Sequence, residues 1–264
     1  MSSDTVTLER IARALEEAVA VFSQFVPGSV KADRKPFDQS PVTEADRSVN
    51  RVLRESLLRN QEGWLSEEDP DDLDRLNKHR IWVVDPLDGT HEFIAGIPEW
   101  CISVAMVEEG RATAGGVCNP ATGEIFLGSR ETGVTYNGRR VHASRRKRLE
   151  GAVVLASRTE CERGEWARFQ NESFIVRPMG SVAYKLARVA AGLADATWTL
   201  TGKNEWDIAG GVALIEAAGG HIQFLPNLKP VLNQKVTRLA GLIACGPFLR
   251  SDITGLLGLP SYVP

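Results

Sequence analysis

A chain of 264 residues, 43% apolar and 25% charged, has enough material for a substantial core, in one large domain or two closely packed halves. Its formal net charge of -3 gives no electrostatic basis for holding a nucleic-acid polymer or an anionic membrane, so neither is expected as a partner. No run approaches the roughly 18 apolar residues of a membrane span, residues 1–22 mix acidic with apolar side chains unlike a secretory signal, and Cys101, Cys118, Cys161 and Cys245 are scattered without CxxC spacing, which predicts reduced thiols and a cytoplasmic location.

In chain order, Leu8, Ile11, Ala12, Leu15, Ala18, Val19 and Phe22 fall at helical spacing and predict an amphipathic helix over 5–25. A loop rich in charge and proline, KADRKPFDQSPVT, leads to a second helix with Val49, Val52, Leu53 and Leu57 on one face, and Thr43 with Asp46 forms a candidate capping box at its start. Strands follow at IWVVD, CISVAMV, ATAGGV and EIFLGS, and the short EEGR and CNPATG connections predict antiparallel hairpins.

The basic stretch HASRRKR at 142–148 divides two halves, 1–148 and 149–264, and reads as a solvated connection. Beyond it the pattern alternates: strand AVVLAS, a helix around 163–171, strand SFIVR, helix SVAYKLARVAAG, strand ADATWTL, helix WDIAGGVALIEAAGG, strand LAGLIACG and a closing helix. Hairpins followed by α/β alternation predict a layered α+β and α/β sandwich, in which the two sheets bury themselves against shared helices.

Four acidic clusters stand where strands end or helices begin: Asp46, Glu67-Glu68, Asp85 with Asp88, and Asp207. The apolar IWVV segment carries Asp85 to the edge of the core, Pro86 forces a turn, and Gly89 frees the next step of the chain. Asp85, the Leu87 carbonyl and Asp88 can thus converge as an all-oxygen site suited to Mg²⁺ rather than zinc. His79, His91, His142 and His221 show no zinc-ligand spacing. Gly89 and Thr90 offer N–H groups and a hydroxyl to a phosphate beside the ion. Taken singly, each cluster is equally turn chemistry, a helix cap or a solvated pair.

In order along the chain, Asp46, Glu67-Glu68, the run Asp85-Pro86-Leu87-Asp88-Gly89-Thr90 and the run Trp206-Asp207-Ile208-Ala209-Gly210 resemble the signature of the lithium-sensitive, magnesium-dependent phosphomonoesterases. That family includes inositol monophosphatase, 3'(2'),5'-bisphosphate nucleotidase, histidinol-phosphatase and fructose-1,6-bisphosphatase, and the likeness extends over nearly the whole chain through GSVAYKLARVAAGLADA and ALIEAAGG. It implies the family's α-β-α-β-α sandwich, two or three Mg²⁺ ions per site, a small phosphate ester as substrate, inhibition by lithium and, as in many members, a homodimer.

The resemblance places one ion on Glu67, Asp85 and the Leu87 carbonyl, and a second on Asp85, Asp88 and Asp207. Glu67, with Thr90 beside it, would orient and deprotonate the attacking water, and Asp46 would support Thr90. Gly180 and Ser181 would line the substrate side. The segments FDQSPVTEAD, LSEED, DPLDGTHEF and ASRTE are most similar to bacterial bisphosphate nucleotidases, and Leu200 stands where inositol enzymes carry a carboxylate. Lys185 and Lys203 are candidate partners for a second phosphate. His91, where nucleotidases commonly have lysine, and AGIPEWCISVAM point instead to inositol or histidinol phosphatases. The expected activity is hydrolysis of adenosine 3',5'-bisphosphate, with inositol monophosphatase or histidinol-phosphatase as the alternative. A non-catalytic regulator on the same fold is a third reading, opposed by the intact ligand set.

Overall fold

The computed structural model describes residues 3–35, 40–226 and 228–260. Phe37, Asp38 and Gln39 of the FDQSPVTEAD segment lie outside them. Helix α1 (Ser3–Phe22) buries Ile11, Leu15, Ala18 and Phe22 along one stripe. A short hairpin of β1 (Ala32–Arg34) and β2 (Pro41–Thr43) follows, within a segment whose composition predicts only loop. Helix α2 (Glu44–Leu57) starts at the expected capping box: Ala45 N donates to Thr43 Oγ1 at 3.1 Å, and Thr43 N donates to Asp46 Oδ2 at 2.7 Å.

Strand β3 (Gly63–Ser66) runs through a 3₁₀ turn (Asp74–Asn77) into β4 (Arg80–Asp88), and α3 (Thr90–Ala95) begins directly after it. Then come β5 (Cys101–Glu108), β6 (Arg111–Asn119), β7 (Glu124–Ser129), β8 (Gly133–Tyr136) and β9 (Arg139–Val141). The order β3-β4-β5-β6-β7-β8-β9 makes a seven-stranded sheet, parallel only between β3 and β4. Both predicted hairpins are present, β5–β6 and β6–β7.

The second half contains β10 (Val153–Ser157), α4 (Arg158–Glu162), β11 (Ile175–Met179), α5 (Val182–Ala190), β12 (Ala196–Thr199), β13 (Lys203–Asn204), α6 (Glu205–Ala217), β14 (His221–Phe224), β15 (Arg238–Leu239), β16 (Leu242–Cys245) and α7 (Arg250–Leu256). The order β11-β10-β12-β16-β14 makes a five-stranded sheet, parallel around β10 and antiparallel around β16. The helix predicted over 163–171 is replaced by α4 and a 3₁₀ turn at Ala167–Phe169. Gly164, at φ +76, ends α4 in a conformation that suits glycine and stops a helix.

Helices α1 and α2 cover one face of the large sheet, where Ile11, Leu53, Trp82 and Ile102 share a core. Helices α5 and α6 lie between the two sheets, in a core joining Val83 and Ala105 to Leu186, Ile208, Leu155 and Ala244. The outer face of the small sheet carries Trp166, Phe169, Trp198 and Ile253. The layers are therefore helix, sheet, helix, sheet, helix. Helix α6 reads as apolar on every side because it is enclosed between sheets. Gly210 lets it approach the large sheet closely: a Cβ there would meet Ser103 Oγ at 2.6 Å. No helix among the described residues is long and apolar enough to cross a membrane.

Candidate active site

Four element ends meet at one place: the C-terminal ends of β3 and β4, and the N-termini of α5 and α6. The crevice at the carboxyl ends of strands is where layered folds present ligand sites. A cleft of about 220 Å³ opens there, lined by Glu67, Leu87, Asp88, Thr90, Lys203 and Asp207, among others. Gly89, His91, Gly180, Ser181 and Lys185 also line it, so the sequence-predicted site residues come together, with Asp46 and Asp85 buried behind the wall.

Glu67, Asp85 and Asp207 each bring an oxygen within 4.8 Å of the others. Asp85 is 1% exposed, and its Oδ2 has no hydrogen-bond partner, while its Oδ1 accepts the Leu87 N–H at 3.0 Å. A buried carboxylate oxygen left without a partner costs free energy unless a cation or proton meets it. Withdrawal from water, then the charges of Glu67, Asp88 and Asp207, push the Asp85 carboxyl well above the usual range. Asp207 is raised to about 8 by withdrawal from water and the charges of Asp88 and Glu67. Burial likewise raises Glu67, against the opposing pull of Lys35. Carboxylates crowded until they retain protons are a hard-oxygen donor set, and they fit a hard divalent cation.

The turn expected at Pro86 is not there: β4 continues through Pro86 to Asp88 and the chain turns only at Gly89, because irregular pairing at 86–87 accommodates a residue without an N–H. The β4–β5 register shifts between Asp85 and Asp88, bringing both aspartates toward the cleft end of the strand. Gly89 sits at φ +102, and a Cβ there would also press on Glu99 O at 3.0 Å. Thr90 Oγ1 lies 3.1 Å from the Leu87 carbonyl and 3.2 Å from Asp46 Oδ1. One hydroxyl proton serves two acceptors, and donation to Asp46 leaves the Leu87 carbonyl open to a cation. Burial raises the Asp46 carboxyl, and its contacts with Thr43 work against that shift.

Asp88 does not join the triad of close oxygens among the described residues. Its Oδ2 accepts Ser181 Oγ and Ala183 N, both at 2.6 Å, at the start of α5. Lys185 is 4% exposed, and its ammonium donates to the carbonyls of Met179, Gly180 and Ser181. Burial lowers it to about 8. Leu200 is 45% exposed and borders a separate aromatic recess beside Trp166 and Trp198, while Lys203 lines the catalytic cleft.

Sequence reasoning did not single out Lys35, whose Nζ lies 2.7 Å from both Glu67 and Glu68. Ser157, Thr159 and Glu92, which the sequence marks only as parts of ASRTE and DPLDGTHEF, also stand on the cleft wall. A lysine in a charged loop carries no signal of its own, since its carboxylate partners lie more than thirty positions away.

Residues 4–245 match the profile of the inositol monophosphatase family. The chain belongs to that family. An inositol-1-monophosphatase of Rhizobium meliloti is 38% identical over 188 residues, 68% of this chain and 70% of the relative. A Nus factor SuhB of Pseudomonas aeruginosa is 34% identical over 196 residues, 68% of this chain and 70% of that protein. The solved structure of an IMPase of Thermotoga maritima superposes with a TM-score of 0.82 at 25% identity, covering 95% of this chain and 96% of that one. This member of the inositol monophosphatase family is a phosphatase on the family's layered fold, and the family is metal-dependent.

Proposed function

We propose that this phosphatase uses two Mg²⁺ ions to hydrolyse a small phosphate monoester carrying a second anionic group, adenosine 3',5'-bisphosphate being the first candidate. The observation that supports the metal chemistry is the buried, unpartnered Asp85 Oδ2 between Glu67 and Asp207. Glu67, Asp85 and the Leu87 carbonyl hold one ion in this reading, and Asp85, Asp88 and Asp207 hold the other. Bound there, the ions lower the pKa of the attacking water, offset phosphoryl charge and stabilise the leaving alkoxide.

The remaining work falls to the chain. Glu67 accepts the proton of the attacking water, and Thr90, anchored on Asp46, orients that water. The first N–H groups of α3, at Gly89 and Thr90, lack partners within their own helix and hold phosphoryl oxygens. Gly180 and Ser181 form the opposite wall.

Lys203 supports the choice of a bisphosphate, because it brings a cation to the wall of the cleft whereas Leu200 supplies no carboxylate for sugar hydroxyls. Inositol 1-phosphate is the second reading, favoured by the relative at 38% identity. The test compares kcat/KM for adenosine 3',5'-bisphosphate, inositol 1-phosphate, histidinol phosphate and fructose 1,6-bisphosphate, each with Mg²⁺ and with EDTA. A preference for the nucleotide that collapses in Lys203→Ala supports the first reading. A preference for inositol 1-phosphate replaces it, and activity undiminished by EDTA removes the metal assignment.

A further inference from the structure

Lys185 is a buried cation with an unusual set of partners. Its ammonium lies 3.1, 3.3 and 2.8 Å from the carbonyl oxygens of Met179, Gly180 and Ser181. An ammonium has three N–H donors, so this set can take up all of them. None is left for a substrate phosphate unless a carbonyl is abandoned, which argues against the substrate contact that the sequence suggests.

Three successive carbonyls reach one ammonium only if the backbone curls around it. The curl is recorded at Ser181, whose φ of +53 and ψ of 121 lie in a region that side-chain-bearing residues rarely adopt. Such a conformation persists only where the surroundings impose it. Ser181 is also the N-cap of α5, and its Oγ accepts the Tyr184 N–H at 3.0 Å while donating to Asp88 Oδ2 at 2.6 Å. The Ala183 N–H, two residues further on, reaches that oxygen at 2.6 Å as well. Two short donors therefore saturate one oxygen of Asp88 and leave Oδ1 as the oxygen available to a cation.

We propose that Lys185 is a positioning residue for the metal centre: by gathering three carbonyls it holds Ser181 in its left-handed conformation, and through the Ser181 hydroxyl and the Ala183 N–H it orients Asp88. The inference rests on the reading of Asp88 as a metal ligand. Lys185 touches neither metal nor substrate in this arrangement, and its influence passes through the backbone of 179–183 and one carboxylate rather than through charge on the phosphate.

The experiment is calorimetric titration of the full chain with Mg²⁺ in the absence of substrate, followed by steady-state kinetics at saturating Mg²⁺. Lys185→Met should weaken Mg²⁺ binding by about tenfold, the scale on which partners of metal ligands act, while KM at saturating Mg²⁺ stays unchanged. In the Ser181→Gly background, where the left-handed conformation needs no support, Lys185→Met should weaken Mg²⁺ binding distinctly less, a coupling visible in the double-mutant cycle. Unaltered Mg²⁺ affinity with a raised KM overturns the proposal and returns Lys185 to the substrate. Equal losses in both backgrounds also overturn it. If Lys185→Met does not fold, Lys185→Gln, which keeps two donors, is held to the same criteria. Asp88→Asn separates the two layers of the argument: if Mg²⁺ binding survives that change, the ligand assignment of Asp88 fails, whereas loss of binding there with none in the Lys185 variants defeats only the positioning role.

Discussion

Thr90 and Asp46 are joined by a contact of 3.2 Å that ties the start of α3 to the start of α2. Asp46 has two tasks because its other oxygen accepts the Thr43 N–H and hydroxyl at 2.7 and 2.6 Å. Asp46→Ala should therefore lower stability and turnover separately. The lost cap contributes about 1 kcal/mol, a fall of roughly 2–4 °C in Tm for a domain of this size. The lost contact to Thr90 should reduce kcat by about 10- to 100-fold, the worth of one charge-assisted hydrogen bond. Calorimetry and kinetics on the same preparation separate the two effects, and a normal kcat with a lowered Tm would leave Asp46 as a helix cap only.

Asp207, a metal ligand in the proposed mechanism, opposes the stability of the metal-free protein. It is half-buried and raised to about 8, beside other carboxylates. Asp207→Asn removes a charge that the metal-free protein accommodates poorly, while an amide oxygen remains to accept the Asn204 N–H that the carboxylate now accepts at 2.8 Å. The variant should be at least as stable as the parent in EDTA at pH 9, and its kcat should fall by about 1,000-fold, as when a single electrostatic group is removed from a transition state. Retained turnover would sink its role as a ligand.

The residues that identify the chemistry were legible because they sit in short runs whose local structure and task coincide. Asp85-Pro86-Leu87-Asp88-Gly89-Thr90 must leave regular strand geometry and does so beside the cleft, although the close oxygens there come from Glu67, Asp85 and Asp207 on three separate segments. The long amphipathic and enclosed segments were equally legible, as α1, α2, α5 and α6 show. Among strands of three or four residues, β12 and β16 were legible and β3, β8, β9 and β14 were not: these show no alternating pattern and exist because neighbouring strands accept their hydrogen bonds. The partners of Asp88 were hidden for a different reason. Ser181 lies 93 positions away, and its left-handed backbone has no signature in a serine.

Stability without metal should fall as pH rises from about 4 to about 8. The unfolded aspartate titrates near ~3.9, whereas Asp207 in the folded protein titrates at about 8. Between those values the folded state binds more protons than the unfolded state, so the slope of unfolding free energy against pH is negative. The contribution is fully present below the unfolded value and lost by the time pH passes the folded one. Mg²⁺ binding must displace those protons and should therefore stabilise the protein more at pH 8.5 than at pH 6. Thermal unfolding in EDTA and in Mg²⁺ at the two pH values checks both statements, and an equal Mg²⁺ increment in Tm at both would contradict the proton linkage.

Arg75 holds the two halves of the chain together from a distance. It is 2% exposed, and its guanidinium donates to Asp71, to Asn233 Oδ1 at 2.5 Å and to the Gln234 carbonyl at 2.9 Å. Asn233 and Gln234 in turn donate their N–H groups to Glu205 at 2.6 and 2.8 Å, in the first turn of α6 and two residues before Asp207. Arg75→Met should destabilise by about 3 kcal/mol, the lower end for a broken buried pair because Asp71 can regain water. That corresponds to roughly 6–12 °C in Tm. Arg75→Lys should recover little, since a single ammonium cannot present a planar fork to three acceptors in different directions. Thermal unfolding of both variants in EDTA measures this without recourse to activity, and a Tm within error of the parent for Arg75→Met would show that the strap from 232 to 239 is held by its pairing with β13 and not by the arginine.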